Sequence, residues 1–171
     1  MINLKIIAYL CFALIVTYSQ GKDLYSNVQA EKIVKKALND KSITLKEKLT
    51  LNKYYDKAEP VSAWLFSKDS GNDFYVIITQ AKGRYDMFDY LIKVNMDHEI
   101  EQVRIINYRS EYGGEIASKK WLQQFAGYSS GELKYKRDIS AISGATISAN
   151  SITSDIQNVM KIFKTNFINQ R

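Results

Sequence analysis

The chain has one cysteine, one histidine and one proline among its 171 residues. Cys11 lies inside an apolar run near the N-terminus, so a chain that loses that run has no cysteine. Disulfides, thiolate nucleophiles, iron–sulfur clusters and cysteine-based zinc sites are then excluded together. His98 stands between Asp97 and Glu99 without the second soft ligand that a transition-metal site needs. It would also have to serve any Ser-His arrangement, and no Gly-x-Ser-x-Gly elbow is present. P-loop and Rossmann glycine patterns are missing, and no carboxylate pair stands out as an acid/base couple. No metal site and no catalytic residue is expected.

What remains is ordinary globular material, 46% hydrophobic and 25% charged. The net charge is +6, but the lysines alternate with acids instead of forming one dense stripe. The pattern predicts a solvated basic surface and no nucleic-acid partner. Attraction to anionic lipid, or to an acidic redox partner, stays open. Lys5 is the only charge among the first 21 residues and precedes the unbroken apolar run from Ile6 to Val16. Ser19-Gln20-Gly21 then places small residues where a leader peptidase cuts. The run is shorter than the roughly 20 apolar residues of a membrane span. Residues 1–21 therefore read as a signal peptide and the protein as periplasmic or otherwise exported. The alternative is an uncleaved N-terminal helix anchoring it to the inner membrane. Pro60 divides an N-terminal helical segment, 22–60, from a main domain, 61–171. Removing the leader leaves 171 − 21 = 150 residues, enough for one core.

The main domain reads as α+β, a mostly antiparallel sheet flanked by helices. Ala63–Phe66 and Phe74–Thr79 flank the turn-rich Asp69–Asp73, and Asp89–Asn95 and Ile100–Ile106 flank Met96–Glu99. Connections this short favour antiparallel hairpins. Helical rhythm predicts helices over Val28–Leu38, Ile116–Phe125 and about Ala149–Phe167. Ser42–Tyr55 fits either a strand or a lysine-rich helix.

Chemistry concentrates at Ser143-Gly144-Ala145-Thr146, a small, permissive turn directly before the last helix. Gly lets backbone amides approach a phosphate, and the helix start offers unpaired N–H groups and the positive end of its dipole. Thr146 adds a hydroxyl able to carry that phosphate. Ser148 is the expected N-cap, with Ser151 close behind.

These residues resemble the FMN-binding domain of flavin-carrying subunits in bacterial ion-translocating oxidoreductases. Ile147 and Ser148 are usual family followers of Ser-Gly-Ala-Thr. Upstream, Ser110-Glu111-Tyr112-Gly113-Gly114 is similar to the family's Glu-Thr-x-Gly loop, with Tyr112 where Thr is common. Lys120–Phe125 is similar to the helix between the two. The resemblance spans about Phe74 to Lys161. It implies FMN as cofactor, joined through a phosphoester to Thr146 by a separate flavin transferase that draws on FAD. It implies that Ser143, Gly144, Ala145, Ile147 and Ser148 surround the phosphate. Glu111, Tyr112, Gly113 and Gly114 would lie towards the flavin ring, with Trp121 and Phe125 as core residues able to wall it. Where the family usually carries an acid three positions before the motif serine, this chain has Ser140. Asp138 is the nearest acid able to substitute. The implied function is extracytoplasmic electron transfer, fed by a membrane-bound donor, by a carrier or redox subunit and not a complete enzyme. The alternative is a flavin-free periplasmic binding or assembly module of the same fold.

Overall fold

Phe74-Tyr-Val-Ile-Ile-Thr79 is apolar at almost every position, which a strand tolerates when both of its faces are covered. A computed structural model describes residues 24–51 and 61–168, and there this segment lies in the central strand of a sheet. The strands are β1 (Ile43–Leu49), β2 (Ser62–Lys68), β3 (Asp73–Lys82), β4 (Met87–Val94) and β5 (Ile100–Asn107). They follow one another in space as in sequence, each antiparallel to the next. Both expected hairpins are present, and the fold is α+β.

The pleat sends alternate residues to opposite faces. Tyr75, Ile77, Tyr90 and Ile92 join one buried cluster, while Trp64, Phe66, Val76, Ile78 and Leu91 join another. Helix α1 (Asn27–Leu38) covers the second through Ala30 and Val34. Its start is closed by a capping box between Ser26 and Gln29. The Trp64 indole N–H donates to Asn27 at 2.9 Å.

Helix α3 (Thr146–Ile168) covers the first face with Ala149, Ile152, Ile156, Val159, Met160 and Phe163. Each of the large members contributes about 1.5–3 kcal/mol by leaving water. Two polar contacts fix its rotation. The Tyr90 hydroxyl donates to Asp155 at 2.5 Å, and the Lys82 N–H donates to the Ser151 hydroxyl at 3.0 Å. The helix begins three residues earlier than the apolar spacing predicts, because Thr146, Ile147 and Ser148 add a first turn that the stripe does not mark.

The helix expected over Ile116–Phe125 is broken into a 3-10 turn (Gly114–Ala117), α2 (Lys119–Leu122) and a second 3-10 turn (Gln123–Phe125). Ser118 interrupts it: an extended ψ of 117° makes it the cap of α2, its hydroxyl accepting from the Trp121 N–H. The apolar stripe survives the break, with Trp121, Leu122 and Phe125 all buried. Within 22–60, α1 is the helical part, and the ambiguous stretch holds β1, which pairs with β2, while its residues 52–55 lie outside the described residues. The apolar leader lies outside the described residues. No described helix is long and apolar enough to cross a membrane.

A charged network ties the segment before α1 to the sheet. The fully buried Asp89 carboxylate accepts two bonds from Arg109, at 2.6 and 3.1 Å, one from Gln80 and one from the Tyr25 hydroxyl, each at 2.7 Å. Burial pushes the Asp89 carboxyl up, but the bonds from Arg109, Tyr25 and Gln80 together hold it below its ordinary range. Burial, and then the neighbouring Asp89 carboxylate, raise the Tyr25 phenol to about 12. The depressed carboxyl contributes stability that is complete above about pH 4 and lost as pH falls through its folded value. The raised phenol contributes stability that is complete below its ordinary value of 10.0 and lost as pH rises towards about 12. In urea unfolding, Arg109→Ala should cost about 2–3 kcal/mol at neutral pH, below the full penalty of a stranded buried charge because Arg109 is partly exposed. Tyr25→Phe should reduce the loss of stability between pH 10 and 12, leaving the share of Tyr128, whose phenol burial also raises, and should leave an acid limb in place.

Candidate functional site

The start of α3 is a helix terminus with its outer face open and its inner face locked. Ala145 is buried and its carbonyl accepts the first helical bond, from Ala149 at 2.8 Å. Thr146, the first helical residue, is exposed, as is Ile147. Among the described residues, no acceptor takes the backbone N–H of Thr146, Ile147 or Ser148. Such groups are the donors a phosphate can satisfy.

Ser148 is not the N-cap. It is the third residue of the helix, 2% exposed, and its hydroxyl lies 2.9 Å from the Tyr108 hydroxyl. Tyr108 also donates to the Tyr112 carbonyl at 2.8 Å, which joins the Glu111–Gly114 loop to the helix start. Gly113 is required there. Its φ is +89°, and a Cβ on it would lie 2.5 Å from the Tyr108 hydroxyl. The two regions singled out in the sequence therefore meet, through a tyrosine that no local pattern marks. The Glu111 and Tyr112 side chains stand exposed, Tyr112 edge-on to Tyr85 at 6.3 Å.

Ser143 and Gly144 form the turn. Gly144 has φ +81°, and a Cβ on it would sit 2.8 Å from the Glu115 carboxyl. That carboxylate lies against the motif from the loop side. Asp138, the acid expected to substitute at Ser140, is held within its own loop. It accepts from the Lys134 N–H at 2.8 Å and pairs with Arg137 at 2.8 Å. Arg137, then the Lys134 N–H, keep its carboxyl below the ordinary range. The backbone of Ser140 is clamped: its carbonyl accepts from the Trp121 indole at 2.8 Å and its N–H donates to Gln124 at 2.8 Å. Trp121 and Phe125 pack edge-to-face at 5.4 Å beneath this clamp.

The exposed face of the first turns of α3, with Thr146, Ile147 and Ser151, floors an open cleft of about 480 Å³. Lys82, Tyr135, Lys136 and Asn150 also line it. Its volume lies within the roughly 300–1,000 Å³ usual for cofactor sites.

Residues 83–161, from the β3–β4 turn well into α3, match the family model described as FMN-binding domain. That segment is an FMN-binding domain. No curated protein and no solved structure matches the chain. The family indicates FMN as the cofactor, and the residues present fit it. The FMN-binding domain offers uncapped amides for a phosphate and an exposed Thr146 that carries a hydroxyl, while the close approach at Gly144 is taken by the Glu115 carboxylate.

Tyr108, Glu115, Lys82 and Lys136 escape a reading of the sequence. Tyr108, Glu115 and Lys82 reach the site from elements far along the chain, and Lys136 from the loop just ahead of the motif. The glycines carried a usable signal, since a positive φ at Gly113 and Gly144 demands them. Gly144→Ala should lower stability by about 1–2 kcal/mol from the φ penalty alone, with crowding of Glu115 added. In thermal unfolding, Gly144→Ala combined with Glu115→Ala should recover the crowding share and keep the φ share.

Proposed function

We propose that this protein is an exported flavoprotein whose FMN is esterified through its phosphate to Thr146, and that it carries electrons outside the cytosol. The observation supporting this reading is an exposed threonine hydroxyl at the uncapped start of a helix, within an FMN-binding domain. FMN, when bound, supplies one- or two-electron exchange.

The chain's own residues anchor and orient the cofactor. In the loading reaction the Thr146 hydroxyl gives its proton to a flavin transferase, and its oxygen forms a bond to the FMN phosphorus of FAD. The phosphoanhydride bond breaks and AMP leaves. The N–H groups of Ile147 and Ser148 would be the donors available to the attached phosphate, and the positive end of the helix dipole would favour its charge. Burial of Ala145, Ser148 and Ala149 holds that end of the helix against the sheet, so the ester has a fixed origin. A covalent link suits an extracytoplasmic site, where a lost cofactor is not readily replaced. The apolar leader supports export, and a membrane-bound donor would then deliver electrons to an acceptor at the surface or in solution.

The test is co-expression with an export-competent flavin transferase, followed by flavin fluorescence on a denaturing gel. The wild-type chain should carry denaturation-resistant flavin, Thr146→Ala should lose it and Ser143→Ala should keep it. Fluorescence persisting on Thr146→Ala would move the ester elsewhere. A colourless wild-type protein under the same conditions would favour the flavin-free binding module.

A further inference from the structure

The resemblance directs the flavin ring towards the Glu111–Gly114 loop, but the space between that loop and the helix is filled. Tyr108 occupies it, bonded to the Tyr112 carbonyl and to Ser148, and even a Cβ on Gly113 would clash with its hydroxyl. Gly83 closes on the same serine: a Cβ there would lie 3.7 Å from the Ser148 hydroxyl and 2.7 Å from the Asp86 carbonyl. The open volume beside Thr146 lies along the outer face of α3 and is lined by Lys82 and Lys136.

The charges around that volume are one-sided. In the 132–138 loop, Lys134 pairs with Glu132, and Arg137 with Glu132 and Asp138. Lys136 has no carboxylate partner among the described residues, and its ammonium group lies 6.0 Å from the Tyr135 ring centre. Lys82 likewise has no carboxylate partner among the described residues. No carboxylate lines the cleft, and Tyr135 is its remaining titratable group. The nearest acid described at the motif, Glu115, faces Gly144 from the loop side. Ile147, 52% exposed, offers an apolar surface on the cleft floor on which a flat ring can rest.

We propose that the cleft lined by Lys82 and Tyr135–Lys136 seats the isoalloxazine ring, and that its two ammonium groups bias the reduced flavin to its anionic form. The proposal rests on the reading of Thr146 as the flavin's point of attachment. A flavin reduced by an electron pair takes up either one proton, giving an anion, or two, giving a neutral ring. An ammonium group within about 4–6 Å of an ionising group favours its charged form by about one to three pK units. With Lys82 and Lys136 beside it, the ring takes up a single proton per electron pair at neutral pH, and the lysines balance the remaining charge.

The experiment uses the full chain loaded by the transferase, reduced stepwise with dithionite across a range of pH. The wild-type protein should take up one proton per electron pair at pH 7. In Lys82→Gln/Lys136→Gln the pH at which the second proton binds should rise by about one unit or more, and Lys82→Arg/Lys136→Arg should restore the wild-type profile. An identical profile in wild type and the Gln variant would overturn the proposal. Amine labelling read by mass spectrometry locates the ring independently of its redox state. Loading should abolish labelling of Lys82 and Lys136 and leave Lys119, Lys120 and Lys134 unchanged. Shielding absent from Lys82 and Lys136 would also overturn it, as would shielding of the Tyr85–Tyr112 pair from tyrosine nitration in its place. If the chain accepts no ester at Thr146, the earlier reading fails by itself. The same labelling with free FMN added to the purified chain then decides the seat of the ring.

Discussion

A hydroxyl at the end of β5 holds the site together. Tyr108 reaches from there to the buried Ser148 on one side and to the Tyr112 carbonyl on the other. Because Ser148 lies inside the first helical turn, this contact stops the start of α3 from rotating. Because Tyr112 lies in the loop, the same contact stops the loop from lifting away. Thr146 stands exposed two residues before that anchored serine, and a Cβ on Gly113 would meet the same tyrosine hydroxyl. An orientation fixed before the cofactor arrives is an ordering cost that binding does not have to meet.

The sheet supports this by being covered on both sides. With α1 on one face and α3 on the other, β3 and β4 have no solvent-facing surface along their middles. The long helix therefore packs against a sheet whose other face is also covered. The Asp89 network performs a similar task for the chain ahead of α1. Its buried carboxylate is tolerated because four donor groups satisfy it, and removing Arg109 would leave the charge without its counterion.

Much of this was legible in the sequence, for physical reasons. Strands reveal themselves by β-branched and aromatic runs, so Phe74–Thr79 and Ile100–Ile106 could be placed and paired. The motif turn could be placed because Gly144 beside a long apolar stripe admits few conformations. The errors share one cause. Ser148 was expected as a cap because periodicity sees only the buried apolar stripe, which begins at Ala149, and not the turn ahead of it. The helix over Ile116–Phe125 kept its buried face while its backbone broke at Ser118, a break that side-chain spacing does not record. Asp138 was expected to serve the motif by proximity in sequence, yet Arg137 and the Lys134 N–H hold it elsewhere, while Glu115 arrives from across the fold. Contacts such as those of Tyr108 and Lys82 are long-range and leave no local trace.

The central claim concerns one bond, between the Thr146 oxygen and a flavin phosphate, and the most direct test is the mass of the peptide that contains it. Trypsin should release residues 138–161 as one fragment, carrying both Ser143 and Thr146. In protein recovered from its own cell envelope, that fragment should be heavier by one FMN esterified with loss of water, with fragmentation placing the addition on Thr146. Recovery of the fragment only at its unmodified mass, from protein without flavin absorbance, would contradict the account.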